Sequence, residues 1–140
     1  MILLIRGRGI SIGKASGPLL VSPQPISFLS GVDPDSGIIV EKGHPLNGQC
    51  ITGKVLVFPY GKGSTVGSYV LYAMSRNGHA PLAIVNAEAE AIIATGAIIS
   101  KIPMIDRIDV PITRLKNGTR VTVDGDLGGW NMRVSLPLPD

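Results

Sequence analysis

The sequence predicts a mixed α/β domain, and three observations predict it. Glycine (18) and proline (11) are frequent in 140 residues, so the chain is broken into short pieces. Valine-, isoleucine- and leucine-rich runs with period-two alternation occupy both ends. Between them, two segments with helical signals flank the apolar run Leu82–Val85. Strands therefore dominate both ends, and two helices lie in the middle around a strand. Residues 1–140 are expected to form one domain, long enough to bury roughly 70% of the unfolded surface.

Ile2–Ile5 reads as the first strand and Gly17–Val21 as the second, with a loop over Gly7–Ser16. Ser22-Pro23-Gln24-Pro25 is expected to be extended, because proline biases its predecessor away from helix. Gly31–Gly37, with Asp33, Pro34, Asp35 and Gly37, has the chemistry of a turn. Gly37–Val40 reads as a short strand and Ile51–Phe58 as a longer one. Thr65–Asn77 is the clearest helix: Val66, Tyr69, Val70, Ala73 and Met74 recur at helical spacing, and Arg76 and Gly78 mark its end. Asn86 is expected to cap a second helix, with Glu88 and Glu90 in its first turn, ending near Gly96. Ala97–Ser100 is apolar and strand-like. Alternation then continues through Ile108, Val110 and Ile112, through Arg120–Val123, and through Met132, Val134 and Leu136, with a turn over Asp124–Gly129.

Composition excludes several functions. The net charge of +3 comes from scattered basic residues without aromatic interleaving, so no nucleic-acid footprint is expected. The apolar start at residues 1–5 precedes Arg6 and Arg8, the reverse of a signal peptide, and no apolar run reaches the ~20 residues of a membrane span. A cytoplasmic protein without membrane contact is expected. Cys50 is the sole cysteine, so the chain forms no internal disulfide and holds no iron–sulfur cluster by itself. Only 16% of residues are charged, which suggests that part of the surface is hidden in a permanent partner.

The chemistry concentrates in Val55-Leu-Val-Phe-Pro59-Tyr-Gly61-Lys62-Gly63-Ser64-Thr65-Val66-Gly67-Ser68. A buried strand runs into a tight glycine loop and then into a helix. The loop delivers Ser64 and Thr65 to the helix N-terminus, where free N–H groups and the positive dipole end lie. The segment is no Walker A loop, because Lys62 precedes the second glycine. It is no serine-hydrolase elbow either, since His44 and His79 offer no evident acid–histidine pair. Two readings remain open. Ser64 is a helix cap worth about 1 kcal/mol, or a hydroxyl whose deprotonated form is held by backbone donors.

Other candidates have plainer readings. His44 is expected in a solvated loop, and His79 at a helix end. Asp33 and Asp35 are accounted for by the turn. Arg6, Arg8 and Lys14 are expected in a solvated basic loop, and Asp106, Arg107 and Asp109 in surface pairs. Cys50 is expected to be a small buried residue.

Taken in order, Ser27-Phe-Leu-Ser-Gly31-Val-Asp33-Pro, His44-Pro-Leu-Asn-Gly48, Gly53-Lys-Val-Leu-Val-Phe-Pro59, Gly61-Lys-Gly-Ser-Thr-Val-Gly-Ser68, Ala80-Pro-Leu-Ala-Ile-Val85 and Ile102-Pro-Met-Ile resemble the swivel-domain small subunit of the aconitase X family. The similarity spans nearly the whole chain. It implies a swivelling β/β/α domain with barrel-like strands. It also implies a partner large subunit carrying an iron–sulfur cluster, [4Fe-4S] in type. By the resemblance, Ser64 matches the catalytic serine, the proton acceptor, with Lys62, Gly63 and Thr65 binding substrate or supporting it. In ordinary aconitase-type swivel domains the matching loop is Gly-Ser-Ser-Arg. Here Val66 stands where that arginine would be, which argues against citrate or isopropylmalate. The archaeal branch of the family implies dehydration of (R)-5-phosphomevalonate to trans-anhydromevalonate 5-phosphate, in the mevalonate route to isoprenoids. The bacterial branch implies cis-3-hydroxy-L-proline instead. From another class, a stand-alone anion-binding or regulatory module is the alternative.

Overall fold

The computed structural model describes residues 2–126 and 130–135. Eight strands form a mixed sheet: β1 (Ile2–Ile5), β2 (Arg8–Ser11), β3 (Lys14–Val21), β4 (Val55–Phe58), β5 (Ala83–Asn86), β6 (Met104–Asp106), β7 (Arg120–Asp124) and β8 (Met132–Ser135). Three helices accompany them: α1 (Phe28–Gly31), α2 (Gly67–Arg76) and α3 (Ala91–Ser100). The strand order is β1-β8-β7-β3-β4-β5-β6-β2. β3, β4, β5 and β6 run parallel, and every other pairing is antiparallel. β3 serves both halves: Lys14–Pro18 pair with β7, and Leu19–Val21 pair with β4.

Pleating sorts the apolar side chains into two cores. On one face, Leu20, Leu56, Phe58, Ile84 and Met104 meet Leu71, Met74, Ile93 and Ala97 of the helices. On the other, Leu19, Val55, Val57, Val85 and Ile105 meet Ile5, Val121, Val123, Met132 and Val134 from the antiparallel half. β4 is buried at every position, as a parallel strand covered on both sides must be. The layers are thus strand, strand and helix, the expected β/β/α arrangement.

The structure departs from the expected elements at five places. The expected loop Gly7–Ser16 instead contains β2 and the start of β3, because its backbone pairs with the distant β6 and β7. The strand expected from Ile51 begins only at Val55. Thr52–Gly53 form a turn, with Gly53 at φ +71°. Asn86 ends β5 instead of capping a helix. Glu90 is the cap of α3, accepting from the N–H of Ile92 (2.8 Å) and Ile93 (2.7 Å). Gly96 does not end that helix, which runs on through Ala97–Ser100 and stops at Lys101 in the left-handed region. Ile108, Val110 and Ile112 do not form a strand. They lie in an irregular segment that closes in a 3-10 turn and packs on the second core.

Smaller expectations also shift. Ser22–Pro25 forms a bend in which Ser22 Oγ donates to Gln24 O. Gly37–Val40 makes only isolated bridges, Val32 with Ile39 and Ile38 with Cys50. The turn expected over Gly31–Gly37 is narrower, since Gly31 closes α1 and Val32 bridges Ile39. It covers Pro34–Ser36, with Asp33 Oδ1 accepting from the Asp35 N–H and Gly37 at φ +76°. α2 ends as expected, with the His79 N–H donating to Met74 O. Its inward face is different: Gly67, Ser68, Leu71 and Met74 are buried, while Val66, Tyr69 and Tyr72 face outward. The reason is close packing, since a Cβ at Gly96 of α3 would lie 3.2 Å from Ser68 Cα. Small residues, not the bulkiest ones, therefore line the contact. Leu136 and the Leu127–Gly129 part of the expected turn lie outside the described residues.

Candidate active site

β4 and β5 are the two central parallel strands, and both deliver their carboxyl ends to one rim. In open α/β sheets that rim is where ligands bind. Phe58 ends β4, and the loop Pro59–Val66 leads from it into α2. The N–H groups of Ala87 and Glu88, following β5, donate to Pro59 O and fix the start of the loop. Asn86, fully buried, donates from Nδ2 to Phe58 O at 3.1 Å.

Glycine lets the loop thread between neighbours. A Cβ at Gly61 would crowd Ile93 and come within 2.6 Å of Glu90 Oε1. Gly61 also bridges Ile26 in parallel fashion, and the Lys62 N–H donates to Ile26 O at 3.1 Å. Gly63 has φ +93°, a region costly for any residue with a Cβ. A Cβ there would also lie 2.6 Å from Ser27 Oγ. Ser27 is buried, so one hydroxyl lies beneath the loop, 3.4 Å from the hydroxyl of the exposed Ser30.

Ser64 is half-exposed, and its Oγ accepts from the Val66 N–H at 3.1 Å. Its carbonyl accepts from the Gly67 N–H at 2.9 Å. Ser64 therefore braces the turn that precedes α2, while the N-cap position of the helix itself is Val66, without a side-chain cap, so Ser64 is not the helix cap expected from sequence. The same hydrogen bond favours an ionised oxygen at that atom, so bracing the turn and base chemistry are compatible. The backbone N–H groups of Gly63, Ser64 and Thr65 make no hydrogen bond among the described residues. Thr65 is exposed, and its carbonyl accepts from Ser68 Oγ at 2.9 Å and from the Ser68 N–H at 3.3 Å.

Lys62 is the single charged residue between Lys54 and Arg76. Its Nζ lies 3.2 Å from Glu41 Oε2. Neither Glu41, nor Ser27, nor Ser30 was a candidate from sequence. They arrive from 20 to 40 positions upstream through tertiary packing, and no local motif announces them.

The other candidates are not brought to this loop. His44 is buried, not solvated: Nδ1 accepts from the Leu46 N–H (3.0 Å), and Nε2 donates to Pro25 O (3.1 Å). It pins two turns together. His79 accepts at its carbonyl from Thr52 Oγ1 (2.8 Å). Arg8 is not in a solvated loop but on β2, with Nε and Nη2 on Asp106 at 2.9 and 2.8 Å. Asp106 is accordingly no surface pair: its side chain is fully buried and also accepts from the Ala89 N–H. Burial alone would raise its pKa. The bonds from Arg8 and Ala89 and the nearby positive charges outweigh burial and hold it below the usual carboxylate range. Arg107 does make a surface pair, with Glu88 at 2.6 Å. Asp109 accepts from the Arg6 N–H, and Lys14 sits 5.5 Å from the Trp130 ring centre. Asp33 is held below the usual range by the Ser36 hydroxyl and the Asp35 N–H, a turn contact.

An iron–sulfur cluster does not fit this chain. Its irons need several thiolates. Cys50 is alone and half-buried, with Sγ 3.5 Å from Ser36 O. Among the described residues, no three His, Cys, Asp or Glu side chains are grouped as metal ligands. No helix among them is long and apolar enough to cross a membrane.

The family model for the aconitase X swivel domain matches residues 4–132. The phosphomevalonate dehydratase small subunit of Methanocella arvoryzae is 56% identical over 125 residues, 89% of this chain and 95% of that one. The protein of the same name from Thermococcus onnurineus is 58% identical over 124 residues, 89% of this chain and 94% of that one. Among solved structures, the holo-form of Thermococcus kodakaraensis aconitase X superposes with a TM-score of 0.89 at 51% identity, covering 96% of this chain and 99% of that one. A rim loop with a half-exposed serine, on a β/β/α scaffold matched over almost its full length, leads to one assignment: this chain belongs to the aconitase X swivel-domain family.

Proposed function

We propose that this chain is the small subunit of a heteromeric hydro-lyase that dehydrates (R)-5-phosphomevalonate to trans-anhydromevalonate 5-phosphate, and that Ser64 is its general base. The observation that carries the reading is the state of Ser64. Its Oγ is half-exposed, accepts one backbone N–H, and sits at a helix start flanked by N–H groups without other partners. Small subunits of phosphomevalonate dehydratase that match 89% of this chain support the choice of substrate.

The chemistry asks for such a residue. Removing water from a 3-hydroxy acid takes a proton from the carbon beside the carboxylate and the hydroxyl from the next carbon. A double bond forms between the two carbons. A serine oxygen is a weak base in water, and it abstracts a carbon-bound proton only if its alkoxide is stabilised. The Val66 N–H and the dipole end of α2 provide that stabilisation. Lys62 adds a positive charge two residues away, for the alkoxide or for an anionic end of the substrate. Thr65 lines the same opening. The departing hydroxyl needs an acid as well. We place that function, with the [4Fe-4S] cluster, on the large subunit, in the cytoplasm.

The test is co-expression of this chain with its large subunit and assay of phosphomevalonate dehydration. Ser64→Ala is expected to lower kcat about 10²–10⁴-fold, the usual worth of a positioned base. Retention of dehydratase activity in that variant would remove Ser64 from the role. Turnover of cis-3-hydroxy-L-proline instead of phosphomevalonate would overturn the substrate.

A further inference from the structure

The ion pair between Lys62 and Glu41 is more tightly built than its exposure suggests. Lys62 is pinned through its backbone N–H to Ile26 O, so its Cα is fixed relative to Ser64. Glu41 is pinned as well. Its carbonyl accepts from the His44 N–H (3.2 Å) and from Asn47 Nδ2 (3.0 Å). Its side chain is 26% exposed and lies over Gly31, where a Cβ would come within 3.2 Å of Oε1. Glycine at position 31 thus leaves the space that the carboxylate occupies. Ser27, Ser64 and Thr65 bring only hydroxyls, and no charge other than Lys62 occurs in sequence from Val55 to Ser75. The Glu90 carboxylate, which lies against Gly61, is engaged by the Ile92 and Ile93 N–H groups.

A lone lysine on a four-carbon stem spends much of its interaction energy on becoming ordered. A fixed carboxylate removes that cost in advance. We infer that Glu41 is a positioning residue for Lys62, holding its ammonium at the serine loop so that it meets an oxyanion of the substrate, phosphate or carboxylate, as a placed charge. Glu41 touches no reacting atom in this role. The inference rests on the proposed function and deepens it, by naming what prepares the loop for an anionic substrate. An exposed pair contributes little to folding, so the effect belongs to substrate affinity and not to stability.

The experiment is a double-mutant cycle on the reconstituted heteromer, with Glu41→Gln, Lys62→Met and the double variant. Glu41→Gln keeps the shape over Gly31 and removes the charge. It is expected to raise KM for phosphomevalonate about three- to tenfold with kcat within about twofold. In the Lys62→Met background, Glu41→Gln is expected to change KM by less than about 1.5-fold, because its target is gone. Inorganic phosphate and unphosphorylated mevalonate, used as inhibitors, separate the two oxyanions. Weaker inhibition by phosphate in Glu41→Gln assigns Lys62 to the phosphate, and weaker inhibition by mevalonate assigns it to the carboxylate. Equal KM effects of Glu41→Gln with and without Lys62, or no KM effect at all, would overturn the inference. A wild-type complex inactive on phosphomevalonate would overturn the proposed substrate instead, so the two failures are distinguishable.

Discussion

Replacing Gly63 with alanine tests whether the loop geometry is imposed or incidental. Gly63 sits at φ +93°, beyond the usual left-handed well near +60°. Placing a Cβ in left-handed backbone costs roughly 1–2 kcal/mol. The new methyl also falls 2.6 Å from Ser27 Oγ, so that hydroxyl must rotate. Ser27 is buried and its only side-chain contact here is a long one, 3.4 Å to Ser30 Oγ, so rotation forfeits at most about 0.5 kcal/mol. Together the loss is about 1.5–2.5 kcal/mol. For a domain of this size that lowers Tm by about 5–10 °C. Thermal unfolding followed by circular dichroism reads the shift. Adding Ser27→Gly to Gly63→Ala is expected to return only the smaller, crowding share, because the backbone strain persists. A Tm for Gly63→Ala within about 2 °C of the parent would refute the reasoning, since neither the positive φ nor the Ser27 contact would then be constraining.

Two further outcomes are expected away from the loop. Asp106 is held ionised by Arg8 and Ala89, so its folded pKa lies below its unfolded value. Its contribution is therefore present above the unfolded carboxylate pKa, about 4, and is lost as pH falls through the folded value. Asp106→Asn is expected to cost about 1–3 kcal/mol at pH 7 and to flatten the acid limb of a urea-denaturation series. An unchanged limb would show that another group governs it. Gly96→Val is expected to destabilise by more than about 2 kcal/mol, because even its first carbon would crowd Ser68 Cα and Leu71. A neutral midpoint in urea would show that α2 and α3 can separate freely.

The strands that alternate or are wholly apolar were legible from sequence: β1, the core of β4 and β5, β7 and β8. For β4, β5, β7 and β8 burial follows directly from their own residues, whereas in β1 Ile2, Leu3 and Leu4 are apolar yet exposed and only Ile5 is buried. β2 and the start of β3 were not legible, because Arg8–Ser11 and Lys14–Ser16 look like loop until distant strands supply pairing. The reverse error occurred at Ile108–Ile112, where alternation exists but no partner strand is adjacent. Gly96 reads locally as a helix stop, while its actual role is to let two helices touch. At the site, Lys62–Thr65 were visible because glycine spacing and hydroxyls lie in one contiguous run. Glu41 and Ser27 were invisible because only folding brings them to that run. Val66 tells a similar story: its side chain carries an apolar signal, yet it faces outward with Tyr69 and Tyr72.

β3 pairs with β7 along its first five residues and with β4 along its last three. One continuous backbone is therefore common property of the antiparallel and parallel halves, and a second core is clamped between them. Neither half can tilt against the other without tearing a shared row of hydrogen bonds. Among the described residues, the strand that feeds the serine loop, β4, is itself paired with this shared strand. If Ser64 acts as proposed, the two halves that carry its loop would approach a substrate together, as one sheet.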